Sequence, residues 1–407
     1  MLGPFAAFAP ILPILSSTYT VLEWSAVIWA PLLFTWAAAV LWRAYVQAKF
    51  ISALDFIMLE VKLPRDIEKT PLAMELVLQS MYQTSQGTWY DQWVKGKVRV
   101  WFSLEMISEE GHVRFFIRTP AKFKKLIESH LYAHYPNIEV KQVEDYIAHA
   151  PFLHEKDEWD LWGCEFALTK PDPYPIKTYI DYGLDKTDLE EERKTDPINS
   201  SIEFLASFSR DQFVWTQILI QPTKERFPMS GAAFKKQNWK KEGEKIIKEL
   251  KEKAGGGDEG KGKATKREAE IIHAIQRSLS KLGFDCGIRA IYIARKERFD
   301  ATMIPGVAGL FRQFSSEDLN GFKPTHTTDF DYPWQDFRGI RLARKKREIF
   351  EAFVLRSYFY GPYKHKPFVL NTEELATIFH FPGRVSVTPN FERIESRRAE
   401  PPPNLPI

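Results

Sequence analysis

Residues 24–42 read WSAVIWAPLLFTWAAAVLW, an unbroken apolar stretch that Arg43 follows directly. At about 1.5 Å rise per residue, a helix of this length can cross a hydrocarbon core of roughly 30 Å. Trp24 and Trp42 stand at its two ends, where the headgroup layer suits their amphipathic rings. The stretch therefore predicts one transmembrane helix, and residues 1–50 together form an apolar N-terminal segment and anchor.

The charges that flank this span indicate its orientation. No Lys or Arg precedes it, whereas Arg43, Lys49 and Lys62 follow it. Because cytoplasmic loops carry the excess of basic residues, we expect the N-terminus outside and the bulk of the chain in the cytoplasm. A cleaved secretory signal is the alternative, but residues 1–20 lack the basic region that it requires. Gly3–Leu15 contains three prolines and predicts an interfacial segment, with a second span as the alternative.

The composition restricts the class of protein. The net charge is +3 over 407 residues, so the chain lacks the global basic field of dedicated nucleic-acid binders. It has two cysteines, Cys164 and Cys286, far apart in sequence, which is no disulfide framework and suits a reducing cytoplasm. With 30 Phe and 12 Trp, the part after the anchor can form substantial cores.

Residues 51–150 predict a ferredoxin-like domain. Two Thr-Pro pairs, Thr70-Pro71 and Thr119-Pro120, are each expected to begin a helix, with Thr as the N-cap and Pro at the first helical position. Strand-like alternation of apolar residues occurs before, between and after these helices, at 56–63, 98–106, 113–117 and 138–140. The resulting order, β-α-β-β-α-β, is that of the split βαβ fold.

Residues 151–325 predict a second unit of the same kind. Its strands and helices are expected, in chain order, at 162–168, 198–208, 213–220, 286–294, 303–311 and, only loosely, 318–323. A helical, lysine-rich insertion at 223–283 interrupts it, with helices expected at 239–253 and 265–282. Residues 235–267 of this insertion hold 12 Lys or Arg against 6 Asp or Glu. The fold class is thus α+β, with two ferredoxin-like units after a transmembrane helix.

No motif in the sequence predicts an enzyme, a cofactor or a metal. The segment Gly257–Ala264 resembles a phosphate-binding loop, but Ala264 replaces the hydroxyl that holds magnesium, and no buried strand precedes it. His130 and His134 are four apart on a predicted helix, yet Leu131 stands where a zinc protease needs Glu. We interpret the first segment as a flexible linker and the second as an ordinary helix end.

A basic cluster at 338–347 begins another predicted helix, and an apolar face continues it. Its members are Arg338, Arg341, Arg344, Lys345, Lys346 and Arg347. Such a cluster can bind lipid headgroups or the phosphates of nucleic acid. A solvated helix start is the simpler interpretation.

The most specific stretch is LNTEELATIFHFPG at 370–383, in which Asn371 and Glu374 have the spacing of a capping box. With Phe368 and Val369 before it, this stretch resembles the segment ahead of the motor domain in conjugative-transfer ATPases of the type IV secretion kind, the coupling-protein and HerA-like group. The tail PPPNLP at 401–406 resembles the linker that leads into the ATP-binding core of those proteins. Residues 59–79, 87–105 and 112–136 resemble a membrane-anchored, uncharacterised bacterial family associated with the same systems.

The resemblance implies a role beside a motor, because no Walker A or Walker B sequence follows the motif. Residues 326–395 are then expected to form a helical docking region for a separate ATPase, and 396–407 a Pro-rich tail. The implied partner contacts are Asn371, Glu374, Leu375, Phe379, His380, Phe381 and Pro382. A homo-oligomer would follow if the partner is hexameric.

The sequence therefore predicts a single-pass protein of the bacterial inner membrane that is not an enzyme. Its expected function is to seat or recruit the ATPase of a type IV secretion or conjugation-like DNA transfer apparatus. The alternative is a membrane-tethered DNA-binding protein that uses the basic segments 235–267 and 338–347. An enzyme with a site assembled only in three dimensions is the third possibility.

Overall fold

A computed structural model describes residues 12–64, 69–149, 158–185, 196–225, 238–255, 265–330, 332–336, 338–383 and 393–394. The chain divides into two compact units. The smaller consists of Met1–Leu54 and Gln86–Val98, and the larger of Asp55–Ser85 and Arg99–Ile407. The phosphate-loop-like segment Gly257–Ala264 and the Pro-rich tail 396–407 both lie wholly outside the described residues.

The smaller unit contains helix α1, Leu12–Ser52, which extends beyond the predicted span at both ends. Within it, Glu23–Ser52 is long and apolar enough to cross a membrane by length and composition, and none of its most apolar window is buried. This exposure separates it from the core helix of a soluble protein, although a signal sequence would have the same composition. The structure thus confirms an N-terminal apolar helix that is suited to a membrane.

A short helix, α3, at Trp89–Trp93, accompanies α1 in this unit. Thr88 and Asp91 form a capping box that begins it. The indole nitrogen of Trp42 donates to the carbonyl of Trp93 over 3.0 Å, and the Arg43 guanidinium lies 5.3 Å from the ring centre of Trp93. Tryptophan and arginine side chains thus gather where the predicted span ends.

The larger unit is built on a mainly antiparallel sheet, to which ten strands of the described residues contribute. The strands are β1 Phe56–Pro64, β2 Phe102–Glu109, β3 His112–Pro120, β4 Glu139–Val143, β5 Trp159–Leu168, β6 Gln212–Pro222, β7 Gly283–Arg295, β8 Phe322–Thr325, β9 Phe368–Asn371 and β10 Arg393–Ile394. Eight of them lie in the order β4-β1-β3-β2-β6-β7-β5-β8, while β9 pairs with β7 and β10 pairs with β1. Among these pairs only β1 with β10 is parallel.

The helices of this unit are α2 Leu72–Ser80, α4 Lys124–His134, α5 Pro197–Ala206, α6 Trp239–Gly255, α7 Lys266–Ser280, α8 Ile304–Ala308, α9 Ile340–Val354 and α10 Thr372–Ile378. Short 3₁₀ turns occur at Ala121–Phe123, Tyr146–His149, Lys296–Arg298, Ala301–Met303, Arg312–Phe314 and Pro333–Gln335. The fold is α+β, as predicted. Thr70 is not the cap of α2, because Pro71 occupies the N-cap position without a side-chain cap bond. Thr119 is not a cap either, because Thr119 and Pro120 end β3 and α4 begins after Phe123.

One sheet runs through both of the predicted domains. Strands β2 and β6 pair antiparallel at its centre, from Phe102 opposite Ile220 to Glu109 opposite Phe213. The weakly predicted last strand of the second half exists as β8 and pairs with β5. Residues 51–150 and 151–325 therefore share one continuous hydrogen-bonded surface.

The sheet is buried on both faces. On one face the larger core cluster includes residues of α2, α4, α5 and α10, and it takes Ile288, Ala290 and Tyr292 from β7. On the other face a smaller cluster takes the intervening Ile291 and Ile293 and packs them with Ile349, Phe350 and Phe353 of α9. Because strand side chains alternate between faces, this division follows from the pleat. Helix α9 therefore covers one face of the sheet, and α2, α4, α5 and α10 cover the other.

Candidate functional site: an exposed C-terminal helix and a two-histidine carboxylate group

The predicted partner contacts at 371–382 are buried. Asn371, Glu374, Leu375, Phe379, His380, Phe381 and Pro382 all lie inside the larger unit. Phe379 and Phe381 contact the ring of Phe115 at centroid distances of 5.7 and 5.6 Å. These residues therefore do not form an exposed surface, because their apolar side chains belong to the core of the larger unit, and their contact with a partner stays a prediction.

The capping box predicted in this segment is present. The Asn371 side chain accepts from the amide of Glu374, and the Glu374 carboxylate accepts from the amide of Asn371, both over 2.9 Å. The other carboxylate oxygen of Glu374 accepts from the amide of Ile176 over 2.9 Å. Burial raises the pKa of Glu374 to about 8, although the amide donors act in the opposite direction. The motif therefore ties α10 to a loop near residue 176.

A second group of charges surrounds the same helix. The Lys281 ammonium lies 2.7 Å from a carboxylate oxygen of Glu75 and 3.8 Å from one of Glu373. Arg277 also pairs with Glu373 over 3.1 Å, and the Thr372 hydroxyl donates to Glu75 over 3.1 Å. Both carboxylates are buried. Since each has cationic and hydroxyl partners from other elements, this group serves to hold α2, α7 and α10 together.

His380 has a separate ion-pair partner. Its Nε2 lies 2.9 Å from a carboxylate oxygen of Asp196, the N-cap residue of α5, and its Nδ1 lies 2.9 Å from the carbonyl oxygen of Ala376. Burial disfavours the imidazolium, but the Asp196 carboxylate outweighs this and raises the pKa of His380. His380 thus joins α10 to α5.

The predicted basic cluster is exposed in part. Arg338, Arg341, Arg344 and Arg347 are exposed, whereas Lys345 and Lys346 are half-buried. The Lys345 ammonium donates to the carbonyls of Thr327 and Asp329, over 3.2 and 3.1 Å, and Lys346 forms an ion pair with Asp160. The two lysines therefore attach α9 to neighbouring segments, and the four arginines form the outer surface.

A cleft of about 660 Å³ runs along α9. Its apolar walls come from Trp159, Leu342, Phe350, Val354 and Leu355, and Leu355 is 52 % exposed. The charged side chains at its rim are Asp160, Lys296, Lys346, Arg347 and Glu351. We refer to this depression, with the exposed arginines of α9, as the α9 surface.

The buried Arg356 fixes the end of α9 to the sheet. Its guanidinium makes two parallel contacts of 3.1 Å with the Glu105 carboxylate of β2 and also pairs with Asp145. Tyr146 donates to Glu105 over 2.7 Å. Burial by itself would lower the pKa of Arg356, but the charge of the Glu105 carboxylate and the hydrogen bonds to Glu105 and Asp145 raise it. Sequence reasoning missed this network, since its members are about 40 to 250 residues apart in the chain.

A group that the sequence did not predict combines two histidines with one carboxylate. The Nδ1 atoms of His326 and His365 lie 3.2 and 2.9 Å from the same oxygen, Oε2, of Glu165. Arg289, which is fully buried, approaches the other oxygen, Oε1, within 3.3 Å. One ligand atom from each of the three residues lies within 4.8 Å of the others, a spacing that suits a metal ion. His130 and His134, the pair considered from sequence, have rings 6.4 Å apart.

Burial by itself would raise the pKa of Glu165, but hydrogen bonds from the two histidines and the charge of Arg289 lower it to about 2. The pKa of His326 is raised, because the hydrogen bond to Glu165 outweighs burial. Glu165 is therefore an ionised carboxylate at neutral pH, available to a cation or a charged imidazole.

Comparison with known proteins places the chain in one family. No curated protein matches the sequence. A family model described as a domain of unknown function (DUF8128) matches residues 57–393, which begin after helix α1 and include the sheet and α9. Because the match spans most of the chain, the protein belongs to the DUF8128 family.

Proposed function

We propose that this protein is a membrane-anchored docking component of a type IV secretion or conjugation-like DNA transfer apparatus, and that it recruits a separate ATPase without being an enzyme. The α9 surface is the observation that carries the docking role. An apolar cleft bordered by charged side chains suits an amphipathic segment of another protein. Acidic side chains on that segment would pair with the arginines, and apolar ones would contact Leu342 and Leu355.

The choice of an ATPase as the partner rests on the resemblance of residues 368–383 to the segment ahead of a motor domain. Since those residues are buried, they are unsuited to direct contact, and the proposed docking surface is the exposed part of the C-terminal region at 338–355. The motif then serves as an internal support for the sheet. This separation of roles makes the α9 surface the element to test.

The fold supports a more specific proposal, that the sheet consists of two ferredoxin-like units placed side by side. In each half the strand that comes fourth in the chain pairs with the first, the first with the third, and the third with the second. The orders are β4-β1-β3-β2 and β8-β5-β7-β6. Helices α2 and α4 follow the first and third strands of one half, and α5 and α8 follow those of the other.

For the anchor we propose a single pass through a bacterial inner membrane, with the N-terminus outside and the larger unit in the cytoplasm. The absence of Lys and Arg before the span and the basic residues after it support this orientation. Within the smaller unit, Trp42, Arg43 and Trp93 lie together at the end of the predicted span. Tryptophan and arginine side chains are favoured at the headgroup layer.

Site-specific photo-crosslinking in native membranes tests the docking role. A photoreactive amino acid replaces Ala343, which is exposed and lines the cleft, and in a matched protein it replaces Leu72, which is 46 % exposed on α2. We expect position 343 to capture an ATPase with Walker motifs, and position 72 to capture none. Capture of the ATPase equally at both positions, or at neither, would reject the proposed surface.

A substitution in the cleft tests the same surface through the affinity of the protein for the ATPase. Leu355→Asp should reduce co-purification of the captured ATPase by about tenfold or more, because a charge replaces an apolar side chain that lines the cleft. Leu72→Asp is the control, since it makes the same change at a similarly exposed position. Both variants should keep the melting temperature of the unsubstituted protein within about 1 °C.

DNA binding is the second candidate, favoured by the arginines at 338, 341, 344 and 347. They are exposed, and Arg338 lies just before α9 while the other three lie three residues apart in its first half. If they contact phosphates, affinity for duplex DNA should fall steeply with salt, and each Arg→Ala change should reduce the slope of log K against log salt by about 1. Affinity that is independent of salt and of all four substitutions would exclude this function.

A further inference from the structure

We propose that Glu165, His326 and His365 form a binding site for a divalent transition-metal ion such as zinc, with Arg289 holding the carboxylate in place. The inference is independent of the docking role. The expected ligand atoms are Nδ1 of both histidines and Oε2 of the glutamate. Imidazole nitrogens with a carboxylate oxygen are a donor set that zinc, cobalt and nickel favour.

The distances suit such an ion. Around a tetrahedral ion with ligands at about 2.0–2.1 Å, neighbouring ligand atoms are roughly 3.3 Å apart. The observed distances from Oε2 of Glu165 to the two Nδ1 atoms are 3.2 and 2.9 Å, and the three ligand atoms lie within 4.8 Å of one another. An ion could thus replace the two histidine–carboxylate hydrogen bonds with small movements of the side chains.

Arg289 supplies the support that ligating carboxylates usually have. Its guanidinium lies 3.3 Å from Oε1 of Glu165 and donates to the carbonyl of Ser357 over 2.8 Å. One oxygen is thereby occupied, and the other is directed at the histidines. Partners beyond the ligands themselves orient the ligating groups, and this ion pair can act in that way. The positive charge of Arg289 also lowers the affinity for a cation, so we expect tighter binding for zinc than for magnesium, which prefers oxygen ligands.

Access to the site is open on the histidine side. The His326 side chain is 66 % exposed and that of His365 29 %, whereas Glu165 is 4 % exposed. His326 has a φ of 49°, in the left-handed region that is uncommon for residues other than glycine. His326 directly follows β8, whose last residue, Thr325, pairs with Glu165 of β5, so the histidine lies beside β5. The half-open arrangement leaves room for a further ligand from solvent.

The three ligands come from segments that are distant in the chain. Glu165 belongs to β5, His326 follows β8, and His365 lies in the connection from α9 to β9. The amide of His365 donates to the carbonyl of Tyr358 over 2.8 Å, which fixes this connection near Arg289. A bound ion would therefore join the connection after α9 to the edge of the sheet.

Cobalt(II) titration of the full chain in detergent tests the site. We expect one ion per chain with visible absorption typical of four-coordinate cobalt, and displacement by zinc. His326→Ala and His365→Ala should each weaken binding by about tenfold or more. The double change His130→Ala/His134→Ala is the matched control, because it removes two histidines of the described residues outside the group, and it should leave binding unchanged.

Because the His326 side chain is 66 % exposed, His326→Ala should remain folded, and its own metal-free melting temperature is the reference for the zinc-induced shift, so loss of binding cannot be attributed to unfolding. Zinc should raise the melting temperature of the unsubstituted protein and of the His130/His134 variant, but not that of His326→Ala. The proposal is overturned if cobalt binds with equal affinity to His326→Ala and the unsubstituted protein, if the control variant loses binding, or if no ion binds at millimolar concentration.

Discussion

Residues 368–383 and residues 338–355 both belong to the predicted docking region 326–395, but the first segment is buried and the second lies on the surface. The first segment is buried over the predicted contacts from Asn371 to Pro382, whereas the second presents four exposed arginines beside a cleft. The buried segment has the more specific sequence. The more specific motif thus corresponds to buried contacts inside the larger unit, whereas the less specific basic cluster lies on the protein surface.

The largest difference is expected for loss of an apolar side chain. Phe379→Ala should destabilise the protein by about 3–5 kcal/mol, because Phe379 is fully buried against Phe115 and its removal leaves a cavity. Leu355→Ala on the α9 surface should change stability by less than about 0.5 kcal/mol. Denaturant midpoints of both variants measure the difference. Similar midpoints would mean that the two segments are equally exposed in solution.

Removing the partner of a buried charge at the end of α9 should have an effect of similar or slightly smaller size. Arg356→Met leaves the Glu105 carboxylate buried without its main counter-charge, and we expect a loss of about 3–5 kcal/mol. The double change Glu105→Gln/Arg356→Met should recover part of this loss, since the buried charge at Glu105 is removed and only Asp145, whose side chain is 36 % exposed, still lacks its partner. If the double variant is as unstable as the sum of the two single ones, the pair is not coupled.

A smaller difference in stability loss is expected between substitutions at the two capping boxes, Asn371 and Thr265. Asn371→Ala should cost about 2 kcal/mol, because Asn371 is buried and also donates to Ser278 over 3.0 Å. Thr265→Ala removes the same kind of cap from the exposed start of α7 and should cost about 0.5–1 kcal/mol. Equal losses in denaturation experiments would contradict the difference in burial.

The smallest effect is expected for pH. The pKa of His380 is raised in the folded protein, so its ion pair with Asp196 adds stability below the ordinary histidine pKa and loses it as pH rises through the folded value. The stability difference between the unsubstituted protein and His380→Gln should therefore be larger at about pH 6 than at about pH 9. Glu374 titrates in both proteins, so its contribution cancels. A difference that is independent of pH would exclude this linkage.

Much of the fold followed from short-range pattern. Alternating apolar residues predicted the strands around Ile57, Leu104 and Phe115, and the structure has strands there. The prediction for Thr70 was wrong, since the cap position depends on how the chain enters α2. The β2–β6 pairing at the centre of the sheet was not predicted, because nothing in either strand identifies its neighbour.

The sites were harder to predict than the fold. The polar residues of TEEL at 372–375 have the composition of an exposed helix start, yet they are buried, and Lys281, Arg277 and Thr178 supply partners for Glu373 from distant elements. Glu165, His326 and His365 share no local motif, and only the β5–β8 pairing brings the first two together. The spacing of residues in the sequence carries no information about such long-range contacts.

The central pairing of β2 with β6 has a consequence for any attempt to divide the protein. Separating the halves would uncover two long strand edges, whose unpaired backbone N–H and C=O groups can pair with other chains. Fragments made independently should precipitate when expressed alone and should reassociate when co-expressed. The connection between the two halves is thus a position at which the polypeptide can be split, and reassociation of the fragments through β2 and β6 can be used as a complementation reporter.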